Sequence, residues 1–184
     1  MVKDGRMEDQ RMTTGIATPV SSRAPRWFTT VLVLLALIGL FNVFASVSDF
    51  IATNTAGLPS DHTGTFAKLS GTSWSNFKGA QSGAASYVTL LERGYALHEL
   101  TFAILFLAIL AIPFRARQRW AWWACWALLI AYLGYALTFG AHDSTILPRS
   151  LIGAIGLPVL LVVSVPAFFR HPERAAVSPS GGAI

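Results

Sequence analysis

Glu92, Tyr95 and Glu99 recur at i, i+3 and i+7 in the stretch LERGYALHELTFAILFLAILAIPF, residues 91–114. That spacing puts all three on one face of a helix, with His98 adjoining Tyr95 at i+3. Carboxylates and imidazoles are the side chains that trade protons most readily near neutral pH. Elsewhere Asn42, Ser46 and Asp49 share a helical face at i, i+4 and i+7. Tyr135, Thr138 and the pair His142 and Asp143 close a third apolar segment, and Arg149 precedes a fourth. The candidate polar site is therefore His98, Glu99, Tyr95, Asn42, Asp49, His142, Asp143 and Arg149.

Several chemistries are open to such a set, and most fit poorly. A metal centre could draw on His98, Glu99, His142 and Asp143, but no HExxH or other spaced ligand set is present. Adjacent residues on a helix also point about 100° apart, so no metal is expected. A haem between His98 and His142 would need them at one height, and they differ by about 9 Å at helical rise. No cofactor is expected. Acid–base catalysis on a lipid would need a carboxylate and a His deep on facing helices, but Glu99 and His98 share one helix and no second deep carboxylate is present. No nucleotide-binding loop, nucleophile elbow or nucleic-acid stripe occurs. In the simplest physical account, Glu99 and His98 reach the lipid headgroups and pair with Arg93 or Arg149 to fix helix register. In the functional account, Glu99, His98, Asp49 and His142 line a water-accessible pocket. His62 and His171 read as solvated residues.

The elements that must position these groups are membrane spans. Charged residues make up 12% of the 184 and apolar ones 53%. Soluble domains carry about 25% charge, so lipid is the expected solvent. Four spans are expected, at about 27–47, 94–114, 120–139 and 151–169. The uncharged part of the second, Leu100 to Phe114, rises only about 22 Å and cannot cross a ~30 Å hydrocarbon layer alone. Its helix must begin earlier, near Ser86 as N-cap. Glu99 and His98 then lie below the surface, where a carboxylate costs at least ~2.5 kcal/mol unless it faces protein or water. Glu99 is expected to face the bundle interior with a polar partner such as Arg149, Tyr135, Asn42 or a water held with His98.

Between Asp49 and Ser86, 16 of 38 residues are Ser, Thr or Gly, so 49–91 reads as a long irregular loop. Phe50, Phe66, Trp74 and Phe77 within it could fold it onto the bundle as a cap. Pro158 should kink the fourth span, and Gly153, Ala154 and Gly156 allow close helix approach just before it. Residues 1–25 and 171–184 read as flexible cytoplasmic tails. Val43-Phe44-Ala45 fits a signal-cleavage site, so removal of the first span is a competing reading. Cys125 lies in an apolar run and allows no intrachain disulfide.

Of the fourteen Lys and Arg, ten fall in the two tails, the flanking Arg26 and Arg170 and the 115–119 turn, and four fall in the other two loops. Both termini should then be cytoplasmic. The expected fold is an all-α, integral-membrane four-helix bundle, N-in and C-in, with a long extracytoplasmic loop between the first two spans. The stretch RARQRWAWWACW, residues 115–126, resembles a signature of uncharacterised bacterial four-span membrane proteins, loosely similar to the DoxX group. The resemblance covers roughly half the chain. It implies the four-span architecture in a bacterial cytoplasmic membrane and no settled activity. Arginines anchoring one face and tryptophans in the aromatic belt account for the motif physically. The expected role is an accessory or small-ligand or lipid-binding membrane protein. Its partners would be membrane lipids, with a second membrane protein as an open alternative and no nucleic acid. The alternative role is a small membrane enzyme or proton-coupled carrier using Glu99 and His98.

Overall fold

A computed structural model describes residues 25–144 and 146–169, without the side chain of Arg149. The expected tails, Pro25 apart, lie outside the described residues. Every element described is helical: α1 (Arg26–Ala56), α2 (His62–Ser70), α3 (Trp74–Ala80), α4 (Ser82–Ile109), α5 (Arg119–Cys125), α6 (Ala127–Tyr135) and α7 (Ile146–Phe169). π-helical turns extend α4 over Leu110–Phe114 and α6 over Ala136–Gly140. Four helical stretches are long and apolar enough to cross a membrane: Arg26–Ala56, Ser82–Phe114, Arg119–Gly140 and Ile146–Phe169. Their outer surfaces are apolar. Phe44, Ile112, Ile130, Leu137 and Ile152 are all at least 67% exposed, a pattern that water would penalise and acyl chains accept.

The segment expected to be irregular is mostly helical, which corrects the 49–91 loop. α1 continues through Asp49 to Ala56 with Ser48, Asn54 and Thr55 satisfied on their own helix. Ser48 Oγ donates to Phe44 O (2.8 Å), Asn54 Nδ2 to Phe50 O (2.7 Å) and Thr55 Oγ1 to Ile51 O (3.0 Å). Hydroxyls that bond the preceding turn do not break a helix. The chain stops at Gly57, whose φ of 88° is left-handed. A Cβ there would also meet Thr89 Oγ1 at 3.0 Å and the Trp74 ring at 3.2 Å. α4 likewise starts at Ser82 rather than Ser86, and Ser86 sits inside it, donating to Ser82 O. The fourth span begins at Ile146 rather than Leu151 and runs unbroken through Pro158 and Pro166.

α2 and α3 form the cap that the scattered aromatics suggested. Phe66 packs edge-on to Trp74 and Phe77 at 5.2 Å each, over Leu58, Ala85 and Val88. Phe50 is not part of this cluster. Two bonds fasten α3 to the end of α1, Trp74 Nε1 to Ala56 O (3.0 Å) and Lys78 Nζ to Ala56 O (3.2 Å), and Thr89 Oγ1 of α4 donates to Gly57 O (2.9 Å). They satisfy carbonyls that the end of α1 leaves free.

At the opposite end the bundle is dry. Phe28, Leu35, Phe106, Phe114, Cys125, Leu157, Leu161 and Phe168 form one buried cluster. Buried positions on α1 recur as Phe28, Val31, Leu35, Gly39, Asn42 and Ser46, a single helical stripe. Gly39 lets α4 approach, since a Cβ would sit 2.6 Å from Leu107 Cδ2. Gly153 does the same for the Tyr132 ring, which a Cβ would overlap, whereas Gly156 has nothing within 4 Å. In the Arg- and Trp-rich turn, Trp120 and Trp123 are exposed as a belt requires. Trp122 is buried and bonds Leu161 O (2.9 Å) and Ser164 Oγ (3.1 Å), so its role is packing.

Candidate functional site

His62 is the centre of the polar site. It was expected to be solvated, and it is 2% exposed. The Gly57 turn sends the chain back over the bundle, and Leu58 and Pro59, both buried, seat α2 so that its first residue points downward. His62 Nδ1 then meets Glu92 Oε2 at 2.8 Å, and Nε2 meets the Tyr135 hydroxyl at 3.0 Å. Tyr135 also donates to Asp61 Oδ2 at 3.3 Å. The imidazole stacks on Phe139 with centroids 4.3 Å apart and planes 16° from parallel. Tyr135 and Phe139 both reach it because the α6 extension carries them at i and i+4 onto one side.

The electrostatics are one-sided. Asp49, Asp61 and Glu92 act on His62, and Glu99 is coupled to Asp49, Asp61 and His62 in turn. Burial by itself would disfavour the imidazolium. The Glu92 hydrogen bond and the surrounding carboxylates outweigh it and hold the His62 pKa above the ordinary imidazole value. The centre is thus a protonatable ring inside an anionic cup.

Of the residues expected at the site, four converge. Asn42 is buried and donates to Tyr132 Oη (2.7 Å) and Ile38 O (2.8 Å). Asp49 lies near His62 and Glu99. The Tyr95 ring is 6.2 Å from that of His62. Glu99 is half-buried on the inward side and has the Ser46 hydroxyl as its polar neighbour, a partner that was not among the candidates. The remaining residues do not converge. His98 is exposed and bonds Gly94 O of its own helix at 2.8 Å. It is one residue from Glu99 and therefore points about 100° away. His142 is exposed, and its bonds are made by its backbone, the carbonyl accepting from Lys68 Nζ at 2.5 Å and the N–H donating to Phe139 O at 3.0 Å. Asp143 packs against Gly64 of α2 instead, where a Cβ would sit 2.6 Å from its Oδ2. The Arg149 side chain lies outside the described residues. Among the described residues no three His, Cys, Asp or Glu side chains converge in a way that could hold a metal ion.

The sequence reading missed His62, Asp61 and Thr65. The available signal was Phe66 and Leu69 at i+3, followed by Trp74 and Phe77 at i+3 after an N-capping Ser73. Both pairs mark short amphipathic helices. Beside His62 and Glu92 opens a cavity of about 320 Å³ walled by Leu58, Phe66, Leu69, Val88 and Phe139. The Thr65 hydroxyl lines it, is buried, and has no hydrogen-bond partner among the described residues. No family model matches the chain, and no curated protein or solved structure matches it, so these comparisons do not bear on the DoxX-like resemblance.

Proposed function

We propose that this multi-pass membrane protein binds a small amphipathic molecule in the cavity between cap and bundle. The observation that carries the reading is the unpaired, buried Thr65 hydroxyl facing a cavity that His62, Glu92 and Ser70 also line. A buried hydroxyl without a partner costs about 1–3 kcal/mol, and a bound polar head would recover that. The cavity lies at the lower end of the usual 300–1,000 Å³ range and is mostly apolar, as ligand sites are. Both nitrogens of His62 are engaged, so Glu92 and Thr65 are the groups free to receive a ligand. Glu92 lines the cavity, with Asp49, Asp61 and Glu99 near it, an arrangement that disfavours an anion. The ligand class is an apolar body with a hydrogen-bond-donating head: a hydroxyl, amide or amine.

The membrane is the bacterial cytoplasmic one, with both termini inside and the cap outside. The ten-to-four split of basic residues supports this. So does the placement of the Arg115–Arg119 turn at the end of α4 opposite the cap. A proton-coupled carrier built on Glu99 is the weaker reading, because among the described residues no Asp, Glu, His, Lys or Arg belongs to the Phe28, Leu35, Phe114 and Leu161 cluster.

The test is co-purification followed by mass spectrometry on the native chain and on Thr65→Leu, which fills the cavity. A non-anionic amphiphile retained by the first and lost from the second is expected. Identical small-molecule content in both would overturn the proposal.

A further inference from the structure

A second groove runs along a different face of α4. It is an open recess of about 470 Å³ lined by Lys78, Ser82, Ala85, Ser86, Thr89, Leu90 and Arg93. Ser82, Ser86, Thr89 and Arg93 fall at 0, 4, 7 and 11 residues, a single stripe within about 60° of arc. Val88 and Glu92, which line the anionic cavity, lie about 110° round the same helix. α4 therefore separates two recesses of opposite charge. No carboxylate lines this one, while two cations and three hydroxyls do. Arg93 Nε is buried without a hydrogen-bond partner among the described residues. An unpaired guanidinium donor in a partly desolvated wall is costly, and an oxygen anion is the partner that suits it.

Depth points to the source of that anion. Arg93 lies 21 residues before Phe114, about 32 Å at helical rise, close to the full thickness of the hydrocarbon layer. The groove thus opens where headgroup phosphates lie.

We infer that Lys78 and Arg93, with the Ser82 hydroxyl beside them, bind a phosphate group, presented by an anionic lipid headgroup or as the free ion; the Ser86 and Thr89 hydroxyl protons are already held by Ser82 O and Gly57 O. The full chain would be reconstituted in nanodiscs of phosphatidylcholine containing phosphatidylglycerol, and lipid retained through mild delipidation counted by native mass spectrometry. At about tenfold or less per removed surface cation, Lys78→Gln with Arg93→Gln should lower phosphatidylglycerol retention about thirtyfold. Arg93→Lys should keep most of it. Titration of detergent-solubilised chain with inorganic phosphate is the second arm. Phosphate binding lost in the double variant, with no lipid preference, assigns the site to the free ion. Because Lys78 also bonds Ala56 O, Arg93→Gln alone is read with amide exchange of α2 and α3 showing the cap in place. If neither phosphatidylglycerol retention nor phosphate binding differs by more than twofold between the native chain and Arg93→Gln, the inference is wrong.

Discussion

Replacing His62 by alanine should unlatch the cap while leaving the spans folded. The loss has three parts. The hydrogen bond to Glu92, charge-assisted when the ring is protonated, is worth about 1.5–3 kcal/mol, and the one to Tyr135 about 1. The stack on Phe139, at 4.3 Å, adds about 0.5–1.5. Together these come to about 3–5 kcal/mol, the range expected when one partner of a buried ion pair is removed. Glu92 keeps 16% exposure, so the lower half of that range is the better expectation. The cap holds its own small core of Leu58, Trp74 and Ala85, and the buried cluster at the far end shares no residue with it. The effect should therefore be local. Amide exchange followed by mass spectrometry in detergent reads it directly, because protection reports the free energy of local opening. Exchange in α2 should accelerate between about 10² and 10³-fold, at 1.4 kcal/mol per decade, with α7 unchanged. A double-mutant cycle with Glu92→Ala should show strong coupling. Unchanged α2 protection would refute the latch, and equal acceleration in α2 and α7 would refute its independence from the bundle.

The same latch carries a pH dependence whose sign is fixed by the raised His62 pKa. Its stabilising contribution is fully present below the ordinary value near 6.5 and is lost as pH rises through the folded-state value. After correction for intrinsic rates, α2 should be better protected at pH 6 than at pH 9, and Glu92→Gln should flatten the difference. Gly57→Ala should destabilise the cap by about 1–2 kcal/mol, since a Cβ is strained at positive φ, measured by the same exchange at α2. Gly153→Ala should cost about 1–3 kcal/mol through overlap with Tyr132, read as a lower detergent unfolding temperature with the cap latch intact. In a Cys125→Ala background, a cysteine at Ser75 should label from outside intact cells and one at Ser180 should not. The reverse would invert the topology.

The four long helices were legible because apolar runs of span length need no partner to be recognised. Their ends were not. α1 and α4 overshoot the expected spans by most of their extra length at the cap side, where Ser48, Asn54, Thr55 and Ser86 disguise helix as loop. Composition counts those residues as breakers, while in the structure each bonds a carbonyl of its own helix. The Glu92, Tyr95 and Glu99 stripe was readable from period alone, and it does face the polar centre. His62 was not, because its burial depends on the fold-back at Gly57, and its partner Glu92 is 30 residues away in sequence. His98 shows the opposite failure. Adjacency to Glu99 made it attractive, and the same adjacency turns it outward.

The π-helical turn at Ala136–Gly140 has a consequence for how this chain can change over generations. Such a turn holds one residue more than α-helical winding requires. Deleting any one residue there would let the helix close normally, and would rotate everything after it by about 100° relative to what precedes it. Phe139 would leave the His62 ring while Tyr135 stayed, and the start of α7 would meet a different side of its neighbours. The stretch should accept substitutions such as Leu137→Ile, whose side chain is 76% exposed, yet tolerate no change of length. The connection at 71–73, where a Cβ on Gly71 would meet nothing, should absorb insertions freely. Gaps among descendants of this sequence should collect at the second place and avoid the first.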